Sequence, residues 1–96
     1  MNKPVLKTSS TSNAAKVGGA IAGRVKEQGF AEIHMIGGGA ISQAVKGIAI
    51  ARGFLEADGI DLISYPYFTE VELGGMVKTV MVFHVEPRGG SNHVGF

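Results

Sequence analysis

The segment Ile36-Gly37-Gly38-Gly39-Ala40-Ile41-Ser42-Gln43-Ala44-Val45 constrains this chain more than any other stretch. A strand pattern over 31–36 runs into three glycines, which open directly onto the small and aliphatic residues of a helix. Glycine lets a ligand or a second backbone come close, and a helix start leaves N–H groups unpaired. Such a place can hold a phosphate, from a nucleotide or from a nucleic-acid backbone. A tight strand-to-helix turn also needs glycine for its own sake. On the glycines alone both readings stay open.

The flanking sequence predicts a short first strand over 5–8, a polar capping loop Ser9-Ser10-Thr11-Ser12-Asn13, and a helix over 14–28 that stops at Gly29. Its apolar stripe is Ala14, Val17, Ile21 and Val25. Gly18, Gly19 and Gly23 are costly inside that helix and point to close packing, either on the protein's own sheet or against another subunit. The second helix is expected over 40–54, with Ile41, Ala44, Val45, Ile48 and Leu55 as core and Gln43, Lys46, Gly47 and Ile50 outward. A third strand over 60–73 is expected to bend at Pro66, since proline cannot donate to a ladder. Gly74-Gly75 reads as a short hairpin leading to a fourth strand over 76–86. There Thr79, Met81, Phe83 and Val85 alternate with Val80 and Val82, so apolar side chains point both ways, as in a central strand. Two helices cover only one face of the sheet. A second copy of the chain, meeting Gly47, Ile50, Val80 and Val82, is the simplest cover for the rest. The domain is expected over 1–88, with 89–96 a flexible tail.

Composition narrows the function classes. Ninety-six residues suffice for one domain. The absence of cysteine excludes a disulfide framework and thiolate metal sites, and fits a cytoplasmic location. Met1-Asn2-Lys3-Pro4 leads into a strand with no apolar leader, and no run is long enough to span a bilayer. His34, His84 and His93 have no ligand spacing, so neither a metal nor a cofactor is expected. Glu70 with Glu72, and Asp58 with Asp61, read as solvated charge, and no serine sits in a nucleophile elbow. Nothing here supports an enzyme.

A binding surface has more material. Lys16 and Arg24 lie eight residues apart on the first helix, Lys46 projects from the second, and Lys78 follows the hairpin tip. The net charge is only +1, so a nucleic-acid surface requires the acids to be segregated elsewhere.

Three blocks then carry a family resemblance: Glu27-Gln28-Gly29-Phe30-Ala31-Glu32-Ile33, Gly38-Gly39-Ala40-Ile41-Ser42-Gln43-Ala44-Val45-Lys46, and Ile48-Ala49-Ile50-Ala51-Arg52-Gly53-Phe54. Over about Val5 to Arg88 the chain resembles the stage V sporulation protein S family, which in turn is similar to the Alba group of nucleic-acid-binding proteins. The resemblance implies an α/β, two-layer fold in β-α-β-α-β-β order. Its four-stranded mixed sheet would be ordered 1-2-4-3, with both helices on one face. It also implies a regulatory, nucleic-acid-binding role. The lysine pair typical of the Alba first loop falls here at Ser12 and Asn13. The arginines around the glycine turn fall at Gly37 and Gly39, and a following lysine at Gln43. About four cations fewer lowers the salt slope of binding by roughly 3–4 units per protomer. Weak, salt-dependent binding of DNA or RNA is therefore expected, through Ser12, Asn13, Lys16, Arg24, Gly37, Gly38, Gly39, Ser42, Gln43, Lys46 and Lys78. Two alternatives stand beside it: a protein-interaction or oligomerisation module with an unidentified protein partner, and a sensor of small anions or nucleotides.

Overall fold

A computed structural model describes residues 5–89. The tail expected over 89–96 lies outside the described residues except for Gly89. The elements run β1 (Leu6–Thr8), α1 (Ala14–Gln28), β2 (Ala31–Met35), α2 (Ala40–Glu56), β3 (Leu62–Leu73) and β4 (Met76–Pro87). They form one four-stranded sheet in the order β1-β2-β4-β3, with β1 parallel to β2 and the other pairs antiparallel. This is the expected two-layer architecture, with β4 central. Among the described residues no helix is long and apolar enough to cross a membrane.

The capping chemistry of α1 is the one its sequence dictates. The Asn13 side chain accepts from the Lys16 N–H at 3.0 Å, and Gly29, in the left-handed region at φ 90°, ends the helix with its N–H on Val25 O. Leu6, Ala31, Ile33, Met35, Met81, Phe83 and Val85 face the helices and pack with Ile21, Val25, Ala44, Ile48 and Leu55. Pro66 does not bend β3, which pairs with β4 continuously from Leu62 to Leu73. It lies on an edge strand, where an N–H facing outward is not needed for the ladder.

The face of α2 differs from the one its aliphatic spacing suggests. Ala40, Ala44, Gly47, Ile48, Ala51 and Leu55 are buried, whereas Ile41 and Val45 are 42% and 48% exposed. The cause is the second helix. α1 and α2 approach so closely that a Cβ on Gly47 would lie 2.5 Å from Val17 Cγ1, and one on Gly18 would lie 2.6 Å from Ile50 Cγ2. Small residues therefore occupy the contact, and the larger Ile41 and Val45 turn outward. Gly47 is thus buried inside the protomer, and Ile50 is half-buried against α1, so neither forms the exposed docking stripe expected of them. Of the α1 glycines, Gly18 serves this helix contact, while Gly19 and Gly23 face open space.

The sheet face away from the helices is partly covered by its own side chains. Val82, expected at a subunit interface, is fully buried there between its strand partners His34 and Tyr67, and Val80 is half-buried. Phe30 and Tyr65 stack on either side of the network formed by His84, with ring centroids 5.4 and 5.1 Å from its imidazole. Glu32 accepts from the Tyr67 hydroxyl at 2.9 Å and lies 3.1 Å from His84 Nδ1, while His84 Nε2 lies 3.0 Å from Glu86. Burial pushes the Glu32 carboxyl up, but the hydrogen bonds of His84 and Tyr67 and the nearby imidazoles outweigh it, leaving Glu32 below the usual carboxylate range. A depressed carboxylate contributes stability above its unfolded pKa, and that contribution is lost as pH falls through the folded value. Glu32→Gln is therefore expected to cost about 1 kcal/mol at neutral pH and little in acid. Thermal melts of both proteins from neutral to acidic pH should converge. A constant gap would show that the carboxylate charge plays no part.

Candidate nucleic-acid interface

The parallel pairing of β1 with β2 places the C-terminal ends of both strands, and so the start of both helices, at one end of the molecule. Neither helix carries an acidic residue in its first turn. The positive ends of the two helix dipoles are therefore uncompensated by the carboxylates that such positions favour.

Two loops meet there. Gln43 Nε2 donates to Ser12 O at 2.7 Å, tying the start of α2 to the loop before α1, and Lys46 Nζ lies 3.5 Å from Gln43 Oε1. The Ser12 hydroxyl accepts from the Ser9 N–H at 2.9 Å, and Asn13 caps α1. Ser12, Asn13 and Gln43 thus build the site's frame first, and their remaining donors are what a phosphate can meet.

The three glycines have separate duties. Gly37 holds φ +88°, a backbone conformation that side chains disfavour. A Cβ on Gly39 would lie 2.5 Å from Ser10 Cβ, so its bareness lets the two loops pack. Gly38 is needed for neither purpose and faces open space, where a ligand can reach the backbone. Gly39, the N-cap of α2, offers no side-chain bond, and the Ala40 N–H goes to Gly37 O at 3.2 Å. The N–H groups of Ile41 and Ser42 follow in the uncapped first turn.

The charges are divided along the molecule. Glu27, Glu32, Glu56, Asp58, Asp61 and Glu86 all lie toward the opposite end, near the helix C-termini. The cations there are paired: Lys26 with Asp58 at 3.0 Å, and Arg52 and Arg88 with Asp61 at 2.9 and 2.7 Å. The Arg88 hydrogen bond is the main reason the Asp61 carboxyl lies below its usual range. Among the described residues no carboxylate pairs with Lys16, Lys46 or Lys78.

Lys16 and Lys46 therefore gather with Ser12, Asn13, Ser42, Gln43 and the glycine turn. Arg24 does not join them, since eight residues of helix carry it about 12 Å along α1. Lys78 is also apart, for a reason the two-glycine turn conceals. Pairing of β2 with β4 ends at Met35 and Met81, yet β3 and β4 pair on for five more residues to Leu73 and Met76. This arm extends about 17 Å past the same end as the helix starts. The hairpin, read as short, is a long arm with Lys78 on one face and Glu70 and Glu72 on the other.

The family model for Stage V sporulation protein S (SpoVS) matches residues 4–88. The chain belongs to this family. It is a small sporulation-related protein, and the SpoVS match covers β1 to β4 with both loops of the site. Two features of this SpoVS chain were not legible from local pattern: the brace between Gln43 and Ser12, which joins residues 31 apart, and the contact of Gly39 with Ser10.

Proposed function

We propose that this SpoVS protein is a regulatory, non-enzymatic binder of nucleic-acid backbone, and that the end where both helices start is its contact surface. One observation carries this reading. Two helix N-termini without first-turn acids stand together with Lys16 and Lys46, while six of the eight acidic residues lie toward the other end. A net charge of +1 is compatible with phosphate binding under that division. The residues of this surface offer N–H groups, an amide and two lysines for phosphate, and none of them is aromatic; the exposed Phe68 stands apart from them on the edge strand β3. Binding is therefore weak, tolerant of sequence, and common to DNA and RNA. Titration of a short duplex into the labelled protein should move the Gly38, Ile41 and Ser42 amides and leave those around Asp58 and Asp61 in place. Shifts confined to other regions would remove the glycine turn from the surface.

The exposed Ile41 and Val45 favour a second property, self-association through the outer side of α2. Light scattering should report a species larger than the 10.0 kDa protomer, and Val45→Glu should return it to one. A monomeric parent protein would exclude this contact.

A further inference from the structure

We infer that the cleft between β1 and α1 is a binding site for a small phosphate monoester, the class that includes nucleoside monophosphates. The cleft has a volume of about 230 Å³ and is bordered by Leu6, Lys7 and Thr8 of β1 and by Asn13, Lys16 and Val17 at the start of α1. It opens on the free edge of β1, the outermost strand of the sheet.

Thr8 is the residue that asks for a ligand. It pairs with Met35 in register and so shares the helix-facing side of the sheet, toward α1 and the cleft. It is 1% exposed, and its hydroxyl has no hydrogen-bond partner among the described residues. A buried hydroxyl without a partner is costly, and a valine of the same shape would avoid the cost. Nothing in the packing requires the oxygen. A group entering the cleft would supply its missing partner after a rotation of the side chain.

The other walls indicate what that group is. The N-terminus of α1, with no acid in its first turn, favours an anion. Lys16 supplies a positive charge beside that terminus, and Lys7, in register with His34 on the opposite face of β1, borders the cleft at the strand edge. A phosphate monoester, which is anionic at neutral pH, suits these charges. Leu6 and Val17 give an apolar wall for the body that bears the phosphate. The volume suits a ligand of nucleotide size or smaller. The site shares Ser12, Asn13 and Lys16 with the proposed backbone contact but does not depend on it, since neither Thr8 nor Leu6 belongs to that surface.

AMP is the first probe, titrated into labelled protein with adenosine and inorganic phosphate beside it. The expected result is a saturable shift of the amides of Thr8, Ala14, Ala15 and Lys16, with AMP binding more tightly than either control. Thr8→Val should weaken AMP about tenfold while leaving the thermal midpoint unchanged or higher, and Thr8→Ser should bind like the parent. Unchanged AMP affinity in Thr8→Val would overturn the inference, as would no saturable shift or adenosine binding as tightly as AMP. A 5′-phosphorylated oligonucleotide separates the two sources of this chemistry. Tighter binding of AMP assigns the site to a free nucleotide, and tighter binding of the oligonucleotide assigns it to a strand end. Lys46 does not line the cleft. Loss of duplex binding in Lys46→Ala with AMP binding intact would separate this site from the backbone surface. AMP binding in a protein that ignores every duplex would leave the cleft standing and remove only the broader reading.

Discussion

Gly47→Val should destabilise the protein by about 1–3 kcal/mol, the usual cost of forcing extra carbons into a packed interior. The new Cβ would sit 2.5 Å from Val17 Cγ1, 2.9 Å from Val17 Cβ and 3.4 Å from the Gly18 backbone nitrogen. Rotation of Val17 relieves only the first of these contacts. The helices must separate or shift in register, which disturbs the interdigitation of Gly18 with Ile50 on the other side of the same contact. Gly19→Ala and Gly23→Ala provide the contrast. Neither position has an atom within 4 Å of an added Cβ, so each substitution should stabilise α1 by roughly 0.5–1 kcal/mol through helix propensity alone. Denaturant unfolding of the three variants measures both effects. Equal behaviour of Gly47→Val and Gly19→Ala would mean that the helices do not touch as described.

The contrast also shows what the sequence could convey about the fold. Element positions follow from local chemistry: the Asn13 cap, the Gly29 stop and the Gly74-Gly75 turn each act within a few residues, and α1 spans 14–28 as read. The orientation of α2 does not follow from its own periodicity. Its most apolar stripe includes Ile41 and Val45, but the presence of α1 makes small size, not hydrophobicity, the criterion for burial. Gly47 looked like an exposed gap and is instead the contact point. Similarly, Val82 read as surface because the helices cannot cover both faces, whereas the tyrosines and histidines of neighbouring strands cover it.

The grouping of the candidate residues was legible in outline and not in its wiring, and Arg24 and Lys78 stand apart from the rest. Glycines after a strand, a run of capping residues and lysines in the opening turns of two helices are local signals, and the parallel β1–β2 pair brings them together. That Gln43 braces Ser12 depends on how two distant loops pack, which no spacing rule reports. The reach of the β3–β4 arm depends on β2 ending at Met35 while its neighbours continue. Thr8 gave no sign at all, because an unpaired hydroxyl is a property of its surroundings.

The largest functional effect is expected from removing Lys16, in the first turn of α1, together with Lys46, which lies in the second turn of α2 with its ammonium 3.5 Å from Gln43 Oε1. If Lys16 and Lys46 each neutralise one phosphate, their joint replacement by alanine releases two fewer counterions per protomer and flattens the salt slope by about 2 units. Arg24 and Lys78 lie away from this cluster, so replacing either should leave most of the slope in place. The remaining affinity of the double variant would come from backbone N–H groups at the glycine turn and the two helix dipoles.

Fluorescence anisotropy with a short duplex and a single strand, across a salt series, compares the parent protein with Lys16→Ala/Lys46→Ala most directly. The expected result is weak binding to both nucleic acids that falls steeply with salt in the parent and less steeply, by about 2 units, in the double variant. Affinity and slope unchanged by the double substitution, or no binding at low salt in the parent, would contradict the assignment of this end of the molecule to nucleic acid.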